Sequence, residues 1–295
     1  MSNRKRFLAV TISCFLCFFS KLGAQTYGLV LSGGGGKGGY EVGVWKALVE
    51  YGIAQRTVVI SGTSVGGLNA ALFSICPEKK IEDIWLNEVP VELNKDGEII
   101  SQEGLSRIMN RISFWGLYEE NGSAPDVYVT CTRSLGKGSG IIDVVVQIGK
   151  TLTKNVFDYT CRFRLNEETT ETEIKLKLLA TSAYPVLTSP VKLSDGNLYS
   201  DGGAADNTPV EPTTTYDVDV IFVVHLTNKL PKIQAGKWGD KKIIDIVPTR
   251  DMRSFGGMID FSRSWAEDNI NLGYADTVAI LKKMGLNPVD EWWFF

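Results

Sequence analysis

The sequence predicts an α/β protein of three layers, in which helices cover a mostly parallel central sheet. Two apolar runs, residues 28–31 and 58–60, carry this prediction, because each ends in a glycine-rich turn and is followed by apolar residues at helical spacing. A strand–helix–strand–helix order is typical of parallel sheets covered by helices. The chain has 295 residues, of which 44% are apolar and 22% charged, and this composition suffices for one such core.

Later segments add elements to the same sheet. Residues 126–132 and 218–225 are rich in β-branched residues and predict two more strands. Asp195 and Gly196 separate two short apolar runs and predict a tight hairpin. A helix is expected from residue 174 to residue 183, ending before Pro185.

The rest of the chain is assigned more coarsely. Residues 133–172 are expected to hold peripheral strands or an insertion. A long amphipathic helix is predicted near the C-terminus from five apolar residues on one face, Ala266, Ile270, Tyr274, Val278 and Leu281. The predicted organisation is therefore a main domain over residues 25–228 with a C-terminal helical extension, residues 229–295, packed on it.

Residues 1–24 have the pattern of a signal peptide. Three cations at positions 4–6 precede the apolar run 7–19, and small residues end the segment at Ala24. The run is shorter than the ~20 residues that a membrane span needs. The pattern predicts an exported protein that is secreted, periplasmic or surface-associated. The alternative is an uncleaved segment that tethers the protein to a membrane.

Charge and the counts of histidine and cysteine exclude several classes of function. Loss of residues 1–24 removes four cations and no acid, which moves the net charge from −3 to −7. No long basic run remains, so a nucleic-acid partner is excluded. His225 is the one histidine of the chain, and the three remaining cysteines have no metal-like spacing. No metal site is predicted.

Six glycines in seven positions follow the first predicted strand, at residues 33–39. They let the backbone turn sharply with its N–H groups pointing outward, and the next helix adds its positive dipole end. Such a loop could hold a dinucleotide pyrophosphate, a nucleotide phosphate or a transient oxyanion. The second strand ends without the acid that dinucleotide binding needs, and Gly38 is followed by Gly39 instead of the lysine of a P-loop.

The turn Gly62-Thr63-Ser64-Val65-Gly66 lies between the second strand and the second helix. A nucleophilic serine is presented in this context, on a tight turn with small neighbours. The alternative is an ordinary turn that contains a serine. Ser64 is therefore the candidate nucleophile, and two side chains are candidates for its base. His225 follows a buried strand, whereas Asp201 precedes Gly202 and Gly203 in a sharp turn and is the better candidate.

These motifs together resemble the patatin-like phospholipase family. The resemblance extends from about Tyr27 to His225 and depends on four segments, residues 31–48, 61–72, 180–191 and 201–209. It implies that Ser64 is the nucleophile, that Asp201 is the base and that the glycine loop forms the oxyanion hole. The oxyanion glycines are Gly34, Gly35 and Gly36, and the supporting motif residues are Gly33, Lys37, Gly38, Gly62, Gly66, Gly202, Gly203 and Asn207.

The resemblance also implies a function. The expected reaction is hydrolysis of a lipid ester, of the phospholipase A or lysophospholipase type, without a cofactor. A phospholipid is the expected substrate, and a membrane surface is a possible peripheral partner through the aromatic C-terminus 292–295. Two alternatives remain at this point: a catalytically silent exported lipid-binding module of the same fold, and a nucleotide-binding protein that uses the glycine loop.

Overall fold

A computed structural model describes residues 25–94, 99–118, 124–134, 159–185, 187–229, 238 and 241–289. The predicted signal peptide, residues 1–24, and the aromatic residues 292–295 lie outside these ranges. Export and a role of the C-terminus therefore stay predictions. None of the helices in the described ranges combines the length and the apolar character needed to cross a bilayer.

The centre of the fold is an eight-stranded mixed sheet with the order β5-β6-β3-β2-β1-β7-β8, and β4 pairs with β3. Five strands are parallel, namely β1, β2, β3, β7 and β8, whereas β4, β5 and β6 run antiparallel to their neighbours. The strands are β1 (Tyr27–Leu31), β2 (Thr57–Thr63), β3 (Asp126–Arg133), β4 (Thr160–Arg164), β5 (Val191–Lys192), β6 (Leu198–Asp201), β7 (Val220–Val224) and β8 (Lys242–Ile246).

Both faces of this sheet are buried. Leu29 and Leu31 of β1 point into the larger core, which is shared with the helices after β1 and β2, whereas Val30 packs on the other face with residues 210–218. The three-layer α/β/α prediction is therefore confirmed. The helices are α1 (Gly39–Glu50), α2 (Val65–Ile75), α3 (Glu78–Asp83), α4 (Val89–Glu92), α5 (Gln102–Met109), α6 (Glu171–Thr181), α7 (Glu211–Thr214), α8 (Ser254–Met258) and α9 (Arg263–Lys283), and a π-helical turn, Ile84–Glu88, joins α3 to α4.

The sequence predicted a helical C-terminal extension, but the structure shows that this segment also contains a strand. Its residues 242–246 form β8, which extends the parallel sheet beside β7. The predicted long helix is α9, and it packs closely on α1. A Cβ atom added at Gly43 would lie 1.9 Å from the carbonyl oxygen of Ile270, so glycine permits this close approach. The extension therefore shares one core with the main domain.

Strand β3 changes its partner where the candidate site lies. β2 pairs with β3 as far as Thr63 and Thr130, and β6 then pairs with β3 from Cys131, opposite Asp201. β4 pairs with β3 over residues 128–132, so it occupies the other edge. A strand has two edges, and β4 occupies one edge of β3, so β2 and β6 share the other. The residue after Thr63 and the last residue of β6 therefore meet at the same level of the sheet.

Candidate active site

Ser64 occupies the sharp turn between β2 and α2. Its φ is 56° and its ψ is −127°, which is a strained conformation for a residue with a side chain. The glycines on either side allow the turn, because a Cβ at Gly62 would lie 2.2 Å from the carbonyl oxygen of Gly66. A Cβ at Gly66 would lie 2.4 Å from that of Leu31. Ser64 lines a cavity at the start of α2.

The carboxyl group of Asp201 is buried beside Ser64. Its Oδ1 accepts a hydrogen bond of 2.7 Å from the N–H of Gly203, whereas its Oδ2 is buried with no hydrogen-bond partner of good geometry among the described residues. Burial raises the pKa of this carboxyl to about 6, although the Ser64 hydroxyl and the Gly203 N–H both oppose the rise. A buried carboxylate with a free oxygen beside a serine is suited to accept its proton.

The glycine loop presents backbone donors at the same place. Gly34 and Gly35 line the cavity. Within the described part of the chain, the N–H groups of Gly34, Gly35 and Gly36 have no backbone acceptor. Gly35 has a φ of +57°, and a Cβ there would lie 2.3 Å from the carbonyl oxygen of Met258. Gly36, the third predicted oxyanion residue, is buried and does not line the cavity.

Asn207 holds the glycine loop against the Asp201 turn. The N–H of Gly33 donates to the Asn207 carbonyl oxygen at 3.1 Å, and the Asn207 side chain donates back to the Gly33 carbonyl oxygen at 3.2 Å. Gly33 in turn lies against the nucleophile, because a Cβ added there would lie 3.2 Å from that of Ser64. The Asn207 side chain also lies against the turn after Asp201, because a Cβ added at Gly203 would lie 3.0 Å from its Oδ1.

A second buried contact joins the loop to α2. The side-chain amide of Asn69 donates to the Gly38 carbonyl oxygen at 3.1 Å and to the Glu41 carboxyl at 2.7 Å. Burial raises the pKa of Glu41 well above its usual value. Lys37 lines the cavity and is half-buried, and burial lowers its pKa while Asp251 opposes the change.

His225, the rival candidate base, is buried at the end of β7 and lines the same cavity. Its Nε2 is engaged by the carboxyl of Asp245 at 2.7 Å. The Ser64 hydroxyl lies beside the carboxyl of Asp201 and lowers its pKa. The geometry therefore favours a serine–aspartate pair over a serine–histidine pair.

The cavity that Ser64 and Asp201 share has a volume of about 700 Å³, within the range of small-molecule sites. Most of the side chains that line it are apolar. Most of these side chains could not be assigned from the sequence, because residues 78–125 have no clear period. These apolar side chains, which we call the apolar wall, are Leu68, Leu72, Ile84, Trp85, Val89, Leu93, Ile100, Leu105, Ile108, Met109, Ile112, Phe114 and Leu178. A lining of this kind is suited to an apolar group such as an acyl chain.

The chain is similar to a known protein family. A family model described as Patatin-like phospholipase matches residues 29–214. No curated protein matches the chain. A solved structure, VipD from Legionella pneumophila, is 14% identical with a TM-score of 0.43, and the match covers 88% of this chain and 67% of that one.

Proposed function

The chain belongs to the patatin-like phospholipase family, a family of lipid acyl hydrolases, and on this premise we propose that it hydrolyses lipid esters with Ser64 as nucleophile and Asp201 as base. The observation that carries the proposal is the buried carboxyl of Asp201 beside Ser64 in a largely apolar cavity, with an Oδ2 that no other described residue engages. A phospholipid or lysophospholipid is the proposed substrate, and no cofactor is involved.

The proposed reaction has two steps. Asp201 accepts the hydroxyl proton while Ser64 Oγ attacks the ester carbonyl carbon. The N–H groups of Gly34 and Gly35 donate to the oxyanion, and Gly36 supports the turn. The alcohol then leaves with the proton from Asp201, and an acyl group stays on Ser64. Asp201 next accepts a proton from water, which attacks the acyl carbonyl, and returns this proton to Ser64 Oγ as the acyl–serine bond breaks and the fatty acid leaves.

The proposal is tested by covalent labelling. A fluorophosphonate reacts with activated serines, and we expect it to label the wild-type protein but not Ser64→Ala. If folded wild-type protein is not labelled and hydrolyses no ester while it still binds lipid, the protein is the silent lipid-binding module instead. A nucleotide-dependent shift in Tm would point to the other alternative, a nucleotide bound at the glycine loop.

Activity should rise with pH through the titration of Asp201. The carboxyl must be ionised to accept the proton, and its pKa is about 6. We therefore expect kcat/KM for an uncharged ester to fall about tenfold per pH unit well below 6 and to level off above 7. The measurement is a pH profile at constant ionic strength between pH 4 and 8.5. A flat profile, or a midpoint near 4, would contradict the assignment of this carboxyl as the base.

Three exposed apolar side chains lie on segments that also line the cavity, and we call them the apolar rim: Ile99, Tyr184 and Phe255. Ile100 and Tyr184 line the cavity, and Met258 does so from the same short helix as Phe255. Gln102 donates to the Ser189 carbonyl oxygen at 3.1 Å, which ties the first two rim segments together. We propose that the rim inserts into the surface of a membrane, from which a lipid enters the cavity.

Vesicle binding tests the rim. Ile99→Ser combined with Phe255→Ser should weaken binding to phosphatidylcholine vesicles about tenfold or more, because each side chain loses part of the ~2 kcal/mol that burial of its apolar surface supplies. Uncharged vesicles suit the test because the exported chain would be acidic and gain no general attraction to anionic lipid. Val58→Ser is the matched control, since Val58 is exposed but lies about 20 Å along β2 from Ser64. Equal binding of all three proteins would refute this role.

We also propose that the protein is exported. The support is the charged and apolar pattern of residues 1–24, and a membrane tether formed by the same segment is the alternative.

A further inference from the structure

One segment contacts both members of the proposed dyad without taking part in the proposed reaction. It is the end of α6, residues 181–183. The hydroxyl of Thr181 accepts a hydrogen bond of 3.0 Å from the backbone N–H of Ser64. Two residues later, the carbonyl oxygen of Ala183 accepts one of 2.9 Å from the N–H of Asp201. The segment therefore bridges the nucleophile and the base.

Ser64 needs such a partner for two reasons. Its backbone is strained, and a strained turn persists only when its surroundings hold it in place. It also begins α2, where the first N–H groups have no acceptor within the helix. A buried N–H without a partner would be costly. The Thr181 hydroxyl satisfies this group, and Thr181 is itself completely buried.

The same hydroxyl is fixed to the sheet. It donates to the carbonyl oxygen of Thr130 at 2.6 Å, and Thr130 is the last residue of β3 that pairs with β2. The next residue of β3, Cys131, pairs with Asp201, and the Thr132 hydroxyl donates to the Asp201 carbonyl oxygen at 3.1 Å. The Thr181 hydroxyl thus joins the turn of Ser64 to β3, the strand that pairs with Asp201 of β6.

We propose that Thr181 is a positioning residue of the dyad, whose hydroxyl holds the backbone of Ser64 against β3 so that its side chain faces the free oxygen of Asp201. This inference rests on the proposed function. Thr181 touches neither the substrate nor the reacting atoms. Its effect is therefore on the distance between the Ser64 hydroxyl and the Asp201 carboxyl. A displacement of about 1 Å between reacting groups can cost about 100-fold in rate.

Two substitutions separate the hydroxyl from the rest of the side chain. Thr181→Val keeps the shape and removes the hydroxyl, whereas Thr181→Ser keeps the hydroxyl and removes the methyl group. This methyl group packs over Gly67, where a Cβ would lie 3.1 Å from it. Both variants should therefore lose a few degrees in Tm. A role in stability alone predicts similar activity for both.

The positioning role predicts different activities. For a soluble short-chain p-nitrophenyl ester, we expect Thr181→Val to lower kcat by about 100-fold with KM within about twofold. Thr181→Ser should stay within about threefold of the wild type. The pH profile gives a second readout, because the Ser64 hydroxyl holds down the pKa of Asp201. Displacement of Ser64 in Thr181→Val should move the midpoint to higher pH.

Wild-type kcat in folded Thr181→Val, or equal losses in the valine and serine variants, would overturn the proposal. Should Thr181→Val not fold, Thr181→Cys replaces it, because a thiol of similar size is a weak hydrogen-bond partner, and its kcat should then fall well below that of Thr181→Ser. Ser64→Ala in the same assay keeps the two proposals distinct. If it stays active, the proposed function fails, whereas if only Thr181→Val stays active, the positioning role fails.

Discussion

Ser64→Ala is expected to lower kcat for ester hydrolysis by at least about 10⁴-fold. The substitution removes the atom that would form the acyl-enzyme, and loss of a serine nucleophile typically costs this much or more because the remaining groups cannot act without it. Alanine has a Cβ as serine does, so the strain of the positive φ at this position is the same in both proteins and the fold should persist. The measurement is the hydrolysis of a short-chain ester and of a phospholipid by the purified variant.

Ser61→Ala is the matched control for this loss. Ser61 lies on the same strand, three residues before the nucleophile, and its hydroxyl is buried without a hydrogen-bond partner among the described residues. Removal of an unsatisfied hydroxyl should leave stability unchanged or raise it, and activity should remain. Retention of more than about a tenth of wild-type kcat by Ser64→Ala would show that another group is the nucleophile.

The strands and turns near the dyad could be predicted because local sequence determines them. The run Val58–Ile60 followed by Gly62 has few alternatives to a buried strand that ends in a tight turn. Asp195 and Gly196 likewise determine a hairpin, in which Gly196 has a φ of 81°. That hairpin delivers Asp201 to the edge of β3, so the motifs predicted residues that the structure brings together, whereas their roles stay predictions.

Other features depend on contacts between distant segments, which the sequence alone does not reveal. The apolar wall comes largely from short helices between Ile84 and Phe114, whose apolar residues face a cavity and show no regular period. The role of Thr181 depends on a hydrogen bond across 117 residues. β8 is short and half-exposed, and its pattern is that of any short apolar run. Gly36 has no room for a side chain, because an added Cβ would lie 2.1 Å from the carbonyl oxygen of the distant residue Asp260.

Asp201→Asn is expected to have the second-largest effect, a loss of about 10³-fold or more in kcat. An amide cannot accept the proton of Ser64, whereas it preserves the size of the side chain and an oxygen for the Gly203 N–H. The pH dependence through about 6 should disappear with the carboxyl. Both changes are measured with the same uncharged ester that serves for the wild-type profile.

The same substitution should stabilise the fold at neutral pH. The folded protein holds the Asp201 proton up to about pH 6, whereas an unperturbed aspartate releases it near 3.8. Folding therefore becomes less favourable as the pH rises through this window, by about 3 kcal/mol at most, from ~1.4 kcal/mol per pKa unit. Asparagine avoids this cost. Its free energy of unfolding should match that of the wild type at pH 4 and exceed it by about 1–3 kcal/mol at pH 7.

His225→Gln distinguishes this base from its rival. Glutamine retains a side-chain N–H that can reach the carboxyl of Asp245, so the variant should fold and keep kcat within about tenfold of the wild type. A serine–histidine mechanism predicts the reverse order, with the larger loss in His225→Gln.

A gain in stability together with the loss of activity in Asp201→Asn would identify a carboxylate that the fold keeps ionised at a cost, as expected of a group retained for its chemistry. An Asp201→Asn protein that is less stable than the wild type at pH 7 would instead mark Asp201 as a structural residue.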